Sequence, residues 1–245
     1  MHREAQKTLL SIPLIYAIIG VVVSSLLGSL QSISAIAGLT PNQHRIFVET
    51  GTYLGGGVTT ALKLGYSEIH SIEIDQELYF GAEFKFSRFS NVHIHLGSSP
   101  ELLENLLESL NHFHPNVPIL FWLDAHFPGS DRSNVSYLEG KSTYNRQEWL
   151  PILSEISIIS RIRPPIDTIV IDDLRCFSDV HKTQSSSLIQ HLEQIGQKLP
   201  LGVQRADLVG VSIEQIEEIL LPTHKSTYYL SQEGYIVSTP HSSFR

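Results

Sequence analysis

From Arg45 onward, apolar and β-branched runs of strand length recur, each closing on an acid or a glycine. Each run is followed by a stretch whose apolar residues return at helical spacing. Such alternation is the mark of a parallel sheet covered on both faces, because βαβ crossovers bury both sides of every strand. Five runs fit: RIFVETG (45–51), EIHSIEID (68–75), VHIHLG (92–97), PILFWLD (118–124) and DTIVIDD (167–173). Between them, Val58, Ala61 and Leu62 share one helical face and Gly65 stands where that helix must end. Asp75 is placed to cap a helix carrying Leu78 and Ala82. Ser99 as cap and Pro100 at the first helical position open a third helix, with Leu102, Leu103, Leu106, Leu107 and Leu110 on one side.

The C-terminal part has a different rhythm. A helix is expected around 187–198, and Ser212 with Gln215 makes a capping box for another. STYYLS and GYIVST then form two strands around Gln232 to Gly234, and so short a link makes them antiparallel. The expected fold is α/β, a doubly wound, mostly parallel seven-stranded sheet with an antiparallel C-terminal strand pair. Residues 125–148 show no clear element, and a stretch that long inside a compact domain suits a lid or binding segment.

The first forty residues stand apart. Residues 9–30 form an uncharged run of 22 residues, enough at about 1.5 Å per residue to cross a hydrocarbon layer of roughly 30 Å. A membrane anchor is the expectation, with a buried helix kinked at Pro13 as the plainer alternative, and Ala35, Ile36 and Ala37 resemble a signal-cleavage pattern. The division is a hydrophobic segment, 1–40, and a catalytic domain, 41–245. Arg3 and Lys7 against Arg45 give a weak orienting bias that would export the domain. So small a margin does not decide the topology, and a membrane-associated protein with its domain in the cytoplasm is the expectation.

Composition narrows the partners. The 245 residues carry 17 Lys plus Arg against 25 Asp plus Glu, a net charge of −8, which argues against nucleic acid because phosphate binding needs a cationic face. The single cysteine, Cys176, rules out an internal disulfide and a Cys-rich zinc site.

In an open parallel sheet, ligands lie beyond the carboxyl ends of the strands. Four of the five strands deliver a carboxylate there: Glu49, Glu73, Asp124, and Asp172 with Asp173. The loop after the first strand reads Glu49, Thr50, Gly51, Thr52, Tyr53, Leu54, Gly55, Gly56, Gly57, and its glycines let backbone approach a ligand. Glu73 follows Gly51 by 22 positions, a spacing that suits a carboxylate accepting from the two hydroxyls of a ribose. The dinucleotide fingerprint would need glycine where Tyr53 stands, so a phosphate-free nucleoside fits better. A carboxylate at Glu49 suits a ligand with a cationic amino group. S-adenosylmethionine has that group, a sulfonium and a ribose.

FVETGTYLGGG, SIEID, NVHIHLGSSPELL, ILFWLDAHFPG and TIVIDD together resemble the successive motifs of class I S-adenosylmethionine-dependent methyltransferases. The resemblance spans residues 45–173, and the closing strand pair is similar to that family's terminal hairpin. It implies that Glu49 to Gly55 hold the methionine part of the cofactor, that Glu73 holds the ribose, and that Gly97 with Ser98 face the adenine. Many members have an acid where this chain has Ser98.

Asp124, Asp172 and Asp173 also resemble the aspartates with which macrocin-type O-methyltransferases hold a divalent cation such as magnesium near the acceptor hydroxyl. Without a cation, Asp124 or His126 is the candidate general base. The plainer roles are helix capping and loop charge for the aspartates, and packing under Trp122 or Phe127 for His126. The expected activity is methyl transfer to oxygen on a small molecule or glycan. An NAD-dependent oxidoreductase on the same sheet and a non-enzymatic membrane-tethered binding domain are the alternatives.

Overall fold

The computed structural model describes residues 39–125, 151–172, 174, 211–229 and 234–244. The chain divides into two units, Met1–Leu39 and Thr40–Arg245, and every element among the described residues belongs to the second. In chain order these are β1 Ile46–Thr50, α1 Gly56–Leu64, β2 Glu68–Glu73, α2 Gln76–Phe86, β3 Val92–Leu96, α3 Ser99–Phe113, β4 Ile119–Leu123, α4 Ile152–Ile162, β5 Thr168–Ile171, α5 Ile213–Leu220, β6 His224–Tyr229 and β7 Tyr235–Pro240. A short 3-10 turn, Ser242–Phe244, follows.

The strands form one seven-stranded sheet in the order β3-β2-β1-β4-β5-β7-β6. Strands β1 to β5 pair in parallel, and β7 runs antiparallel to both β5 and β6. Thr50 at the end of β1 is level with Ile72 of β2 and Leu123 of β4. Strand order therefore reverses between β1 and β4, and a doubly wound sheet opens its ligand crevice at that reversal.

Local signals set most of these boundaries. Asp75 caps α2 by accepting from the backbone N–H of Glu77 at 2.9 Å and of Leu78 at 3.0 Å. The capping box at the start of α5 is formed by both Ser212 and Gln215. The third helix differs from expectation: its cap is Ser98, whose side chain makes no capping bond, and Ser99 is already inside the helix. The Ser99 hydroxyl is drawn instead to a carboxyl on α4. That helix was not singled out by the apolar pattern, because Glu155 interrupts its buried stripe of Ile152, Ile156 and Ile159. Residues 126–150 and 187–198 lie outside the described residues, as does the uncharged run 9–30. No helix among the described residues is long and apolar enough to cross a membrane.

The strand period sorts β1 between two layers. Ile46 and Val48 face Leu103 and Leu107 of α3, Ile156 and Ile159 of α4 and Ile216 of α5 in one continuous core. Phe47 points the other way, its ring 5.4 Å from that of Tyr66. The rim remote from the crevice is held by a buried ion pair. Arg163 donates from Nε to Asp167 at 2.7 Å and from Nη2 to the Val117 carbonyl at 2.9 Å, while Asp167 also accepts from the backbone N–H of Ile119 at 2.8 Å. On β2 and β3, His70 meets His95 at 3.0 Å through Nδ1 and Glu68 at 2.9 Å through Nε2. With the proton of His70 on Nε2 facing Glu68, its Nδ1 is the acceptor for the His95 N–H.

Candidate active site

The first crevice loop depends on one backbone conformation. Gly51 has φ +85°, and a Cβ there would lie 2.8 Å from the Asp124 carbonyl oxygen, so the tips of β1 and β4 approach as closely as they do only around glycine. Its N–H extends the ladder to the Ile72 carbonyl at 2.9 Å, and the Asp124 N–H reaches the Thr50 carbonyl at 3.1 Å. Tyr53 then takes the left-handed conformation, φ 47°, unusual for a side-chain-bearing residue. Tyr53 and Leu54 stand exposed at the loop's crest. Gly55 caps α1, and Lys85 of α2 pins the loop by donating to the Leu54 carbonyl at 2.8 Å.

Glu49 is enclosed between β2 and the start of α1. By alternation it faces α1, where it is 2% exposed. A Cβ on Gly57 would come 1.7 Å from its Oε1, so glycine at that position makes the room the carboxyl occupies. Its Oε2 accepts from the Ser71 hydroxyl at 2.7 Å, and that hydroxyl lies 2.7 Å from the hydroxyl of Thr52. Burial pushes the Glu49 carboxyl up to about 8, against the lowering by Ser71, with Asp124 and Glu73 adding to the rise. The group therefore favours its proton near pH 7, and Ser71 and Thr52 link it to the crevice loop.

Glu73 sits where a ribose ligand is expected. One oxygen accepts from the Tyr53 N–H at 2.8 Å and the other from the Asp75 N–H at 2.8 Å. Burial raises its pKa, while these backbone bonds oppose the rise. The Ile74 N–H adds a third backbone donor to the same carboxylate. Beside it, the Gly97 N–H donates to the Glu73 carbonyl at 2.9 Å, which fixes Gly97 and Ser98 next to the β2 tip.

Asp124 and Asp172 follow adjacent strands, and the Asp172 N–H bonds to the Leu123 carbonyl at 3.0 Å. Both are carboxylates at the same rim of the crevice, and oxygen donors of this kind suit a hard cation. No group of three His, Cys, Asp or Glu among the described residues is disposed to hold a metal. His126 and Asp173 lie outside the described residues.

The sequence motifs marked Ser99 only as a helix cap, and gave no site role to Ser71, Lys85 or Glu155. The last is wholly buried on α4, accepts from the Ser99 hydroxyl at 2.5 Å and has its carboxyl raised to about 7 by burial. An acid in an otherwise apolar helix stripe was the available signal.

No protein-family model matches the sequence, and no curated protein does. Solved structures do resemble it. An O-methyltransferase from Bacillus cereus in complex with SAH superposes with a TM-score of 0.53 at 13% identity, over 96% of this chain and 93% of that one. A Staphylococcus aureus protein assigned as a caffeoyl-CoA O-methyltransferase gives 0.53 at 13% identity, over 94% and 93%. The strand order and these likenesses define the fold as that of class I S-adenosylmethionine-dependent methyltransferases.

Proposed function

We propose that the chain binds S-adenosylmethionine across the tips of β1 and β2 and transfers its methyl group to an oxygen of a small molecule or glycan. The supporting observation is the convergence beside the strand-order reversal of a Gly51 turn, a Glu73 carboxylate at the β2 tip and the Gly97–Ser98 turn, bonded to the Glu73 backbone carbonyl. In that arrangement Glu73 receives the ribose hydroxyls, Gly97 and Ser98 border the adenine, and backbone from Thr50 through Tyr53 to Gly55 borders the methionine part. Glu49 supports the loop through Ser71 and Thr52. A cationic ligand above it favours release of its proton, because opposite charge stabilises the ionised form. Tyr53 at the crest leaves no glycine for a pyrophosphate to lie on, which disfavours the dinucleotide alternative.

The reaction is an in-line displacement. An acceptor oxygen attacks the methyl carbon, the bond from that carbon to sulfur breaks, and its electron pair neutralises the sulfonium to a thioether. The acceptor proton passes to a base, for which Asp124 and His126 are the candidates. Holding donor and acceptor in near-attack geometry can lower the barrier by roughly 7 to 11 kcal/mol, so few catalytic side chains are needed. Asp124 and Asp172, with Asp173, would hold a divalent cation, whose contribution would be to lower the pKa of the acceptor hydroxyl. Membrane association through residues 9–30, with the domain in the cytoplasm, belongs to the same proposal, and nucleic acid is no part of it.

Calorimetry of the full chain with S-adenosylmethionine is the test. Binding that Glu73→Ala abolishes while thermal unfolding stays cooperative is the expected result; no binding by a demonstrably folded chain refutes the proposal. Turnover that survives exhaustive chelation would remove the cation from it.

A further inference from the structure

The turn between β3 and α3 is secured from three directions. The Gly97 N–H reaches the Glu73 carbonyl at 2.9 Å, and the Ser98 carbonyl accepts from the Glu101 and Leu102 N–H groups, each at 3.1 Å. The third comes from outside the neighbourhood in sequence: Ser99, the first residue of α3, donates its hydroxyl at 2.5 Å to Glu155 in the first turn of α4. Burying a carboxyl in an apolar layer is unfavourable unless a partner compensates it. Yet Glu155 is 0% exposed, and its neighbour Thr50 on β1 is equally buried. The lowering influence of Thr50 on Glu155 places the two groups side by side, so a carboxyl from α4, a hydroxyl from β1 and a hydroxyl from α3 meet beneath the crevice floor. A leucine at this position would fill the same stripe, which Ile152, Ile156 and Ile159 otherwise occupy.

We infer that Glu155 is a positioning residue for cofactor binding: through Ser99 it holds the Gly97–Ser98 turn in the place where the adenine is seated, an inference that rests on the cofactor proposal above. The chain has a serine, not an acid, at the adenine-facing position. What that turn offers a ligand is its backbone and one hydroxyl, and both depend on where the start of α3 is fixed. Among the described residues Glu155 is the group that ties this start to α4, the helix that follows β4 and Asp124 in the chain. It needs no contact with the ligand to act.

The test uses the full chain, calorimetry with S-adenosylmethionine and S-adenosylhomocysteine, and thermal unfolding in parallel. Ser99→Ala and Glu155→Ala each remove the bond and are expected to weaken both ligands by about tenfold, the upper end for one hydrogen bond. Glu155→Gln keeps an oxygen to accept from Ser99 and adds an N–H for Thr50, so it is expected to bind within about twofold of wild type. Should Glu155→Ala fail to fold, Ser99→Ala and Glu155→Gln decide the matter between them. Wild-type affinity in Ser99→Ala, or equal weakening in Glu155→Gln and Glu155→Ala, overturns the inference and leaves cofactor binding standing. Absence of any ligand heat with the folded wild-type chain overturns both.

Discussion

Replacing Glu49 by glutamine removes a titration while preserving shape and the acceptor for Ser71. In the folded chain burial keeps the proton on Glu49 up to about pH 8, whereas its ordinary value is 4.5. Between those values the folded state binds the extra proton, so the stabilising contribution is complete below about pH 4.5 and is lost as pH rises through 8. One proton corresponds to about 1.4 kcal/mol per pH unit. From pH 5 to pH 7 the wild type should therefore lose about 3 kcal/mol relative to Glu49→Gln. Glu155, raised to about 7, titrates in both proteins and cancels in the difference. Urea unfolding of both full chains across this range, followed by circular dichroism, gives the two stability curves. Parallel curves would mean that Glu49 is ionised in the folded chain, and the picture of a neutral acid walled in by Gly57 would be refuted.

Gly51→Ala combines a left-handed backbone, costing about 1–2 kcal/mol for an L residue, with a Cβ 2.8 Å from the Asp124 carbonyl. It should lower the melting temperature and abolish cofactor binding, and unchanged affinity by calorimetry would contradict the crevice geometry. Arg163→Met leaves Asp167 buried without its cation and should cost about 3–5 kcal/mol in urea unfolding; adding Asp167→Asn should restore part of that loss. Acid stability is expected to depend on the histidines. Burial lowers the pKa of His70, and burial with His70 and His93 takes His95 to about 4 from an ordinary 6.5. Their contribution is present above about pH 6.5 and is lost as pH falls toward 4, so His95→Gln should flatten the acid limb, whereas superimposed limbs would show that these rings do not govern it.

Much of the fold was legible because strand and helix periods are local. RIFVETG, PILFWLD and DTIVIDD carry enough apolar, β-branched and aromatic residues to be central strands in any sheet, and Asp75, Gly65 and the Ser212–Gln215 pair mark helix ends by their own chemistry. The order of carboxylates at the strand ends was equally plain, because it follows from where each run stops. Which layer a side chain enters is a different matter. Glu49 stands near the end of β1, and the alternation of that strand together with the space left by Gly57 encloses it against α1. Ser99 has the composition and spacing of a helix cap, yet Glu155, distant in sequence and adjacent in space, holds its hydroxyl and moves the cap to Ser98. Periodicity and capping chemistry act over a few residues and are written into the chain; burial, proton affinity and the partner of a buried acid depend on which elements pack together, and only the assembled layers decide them.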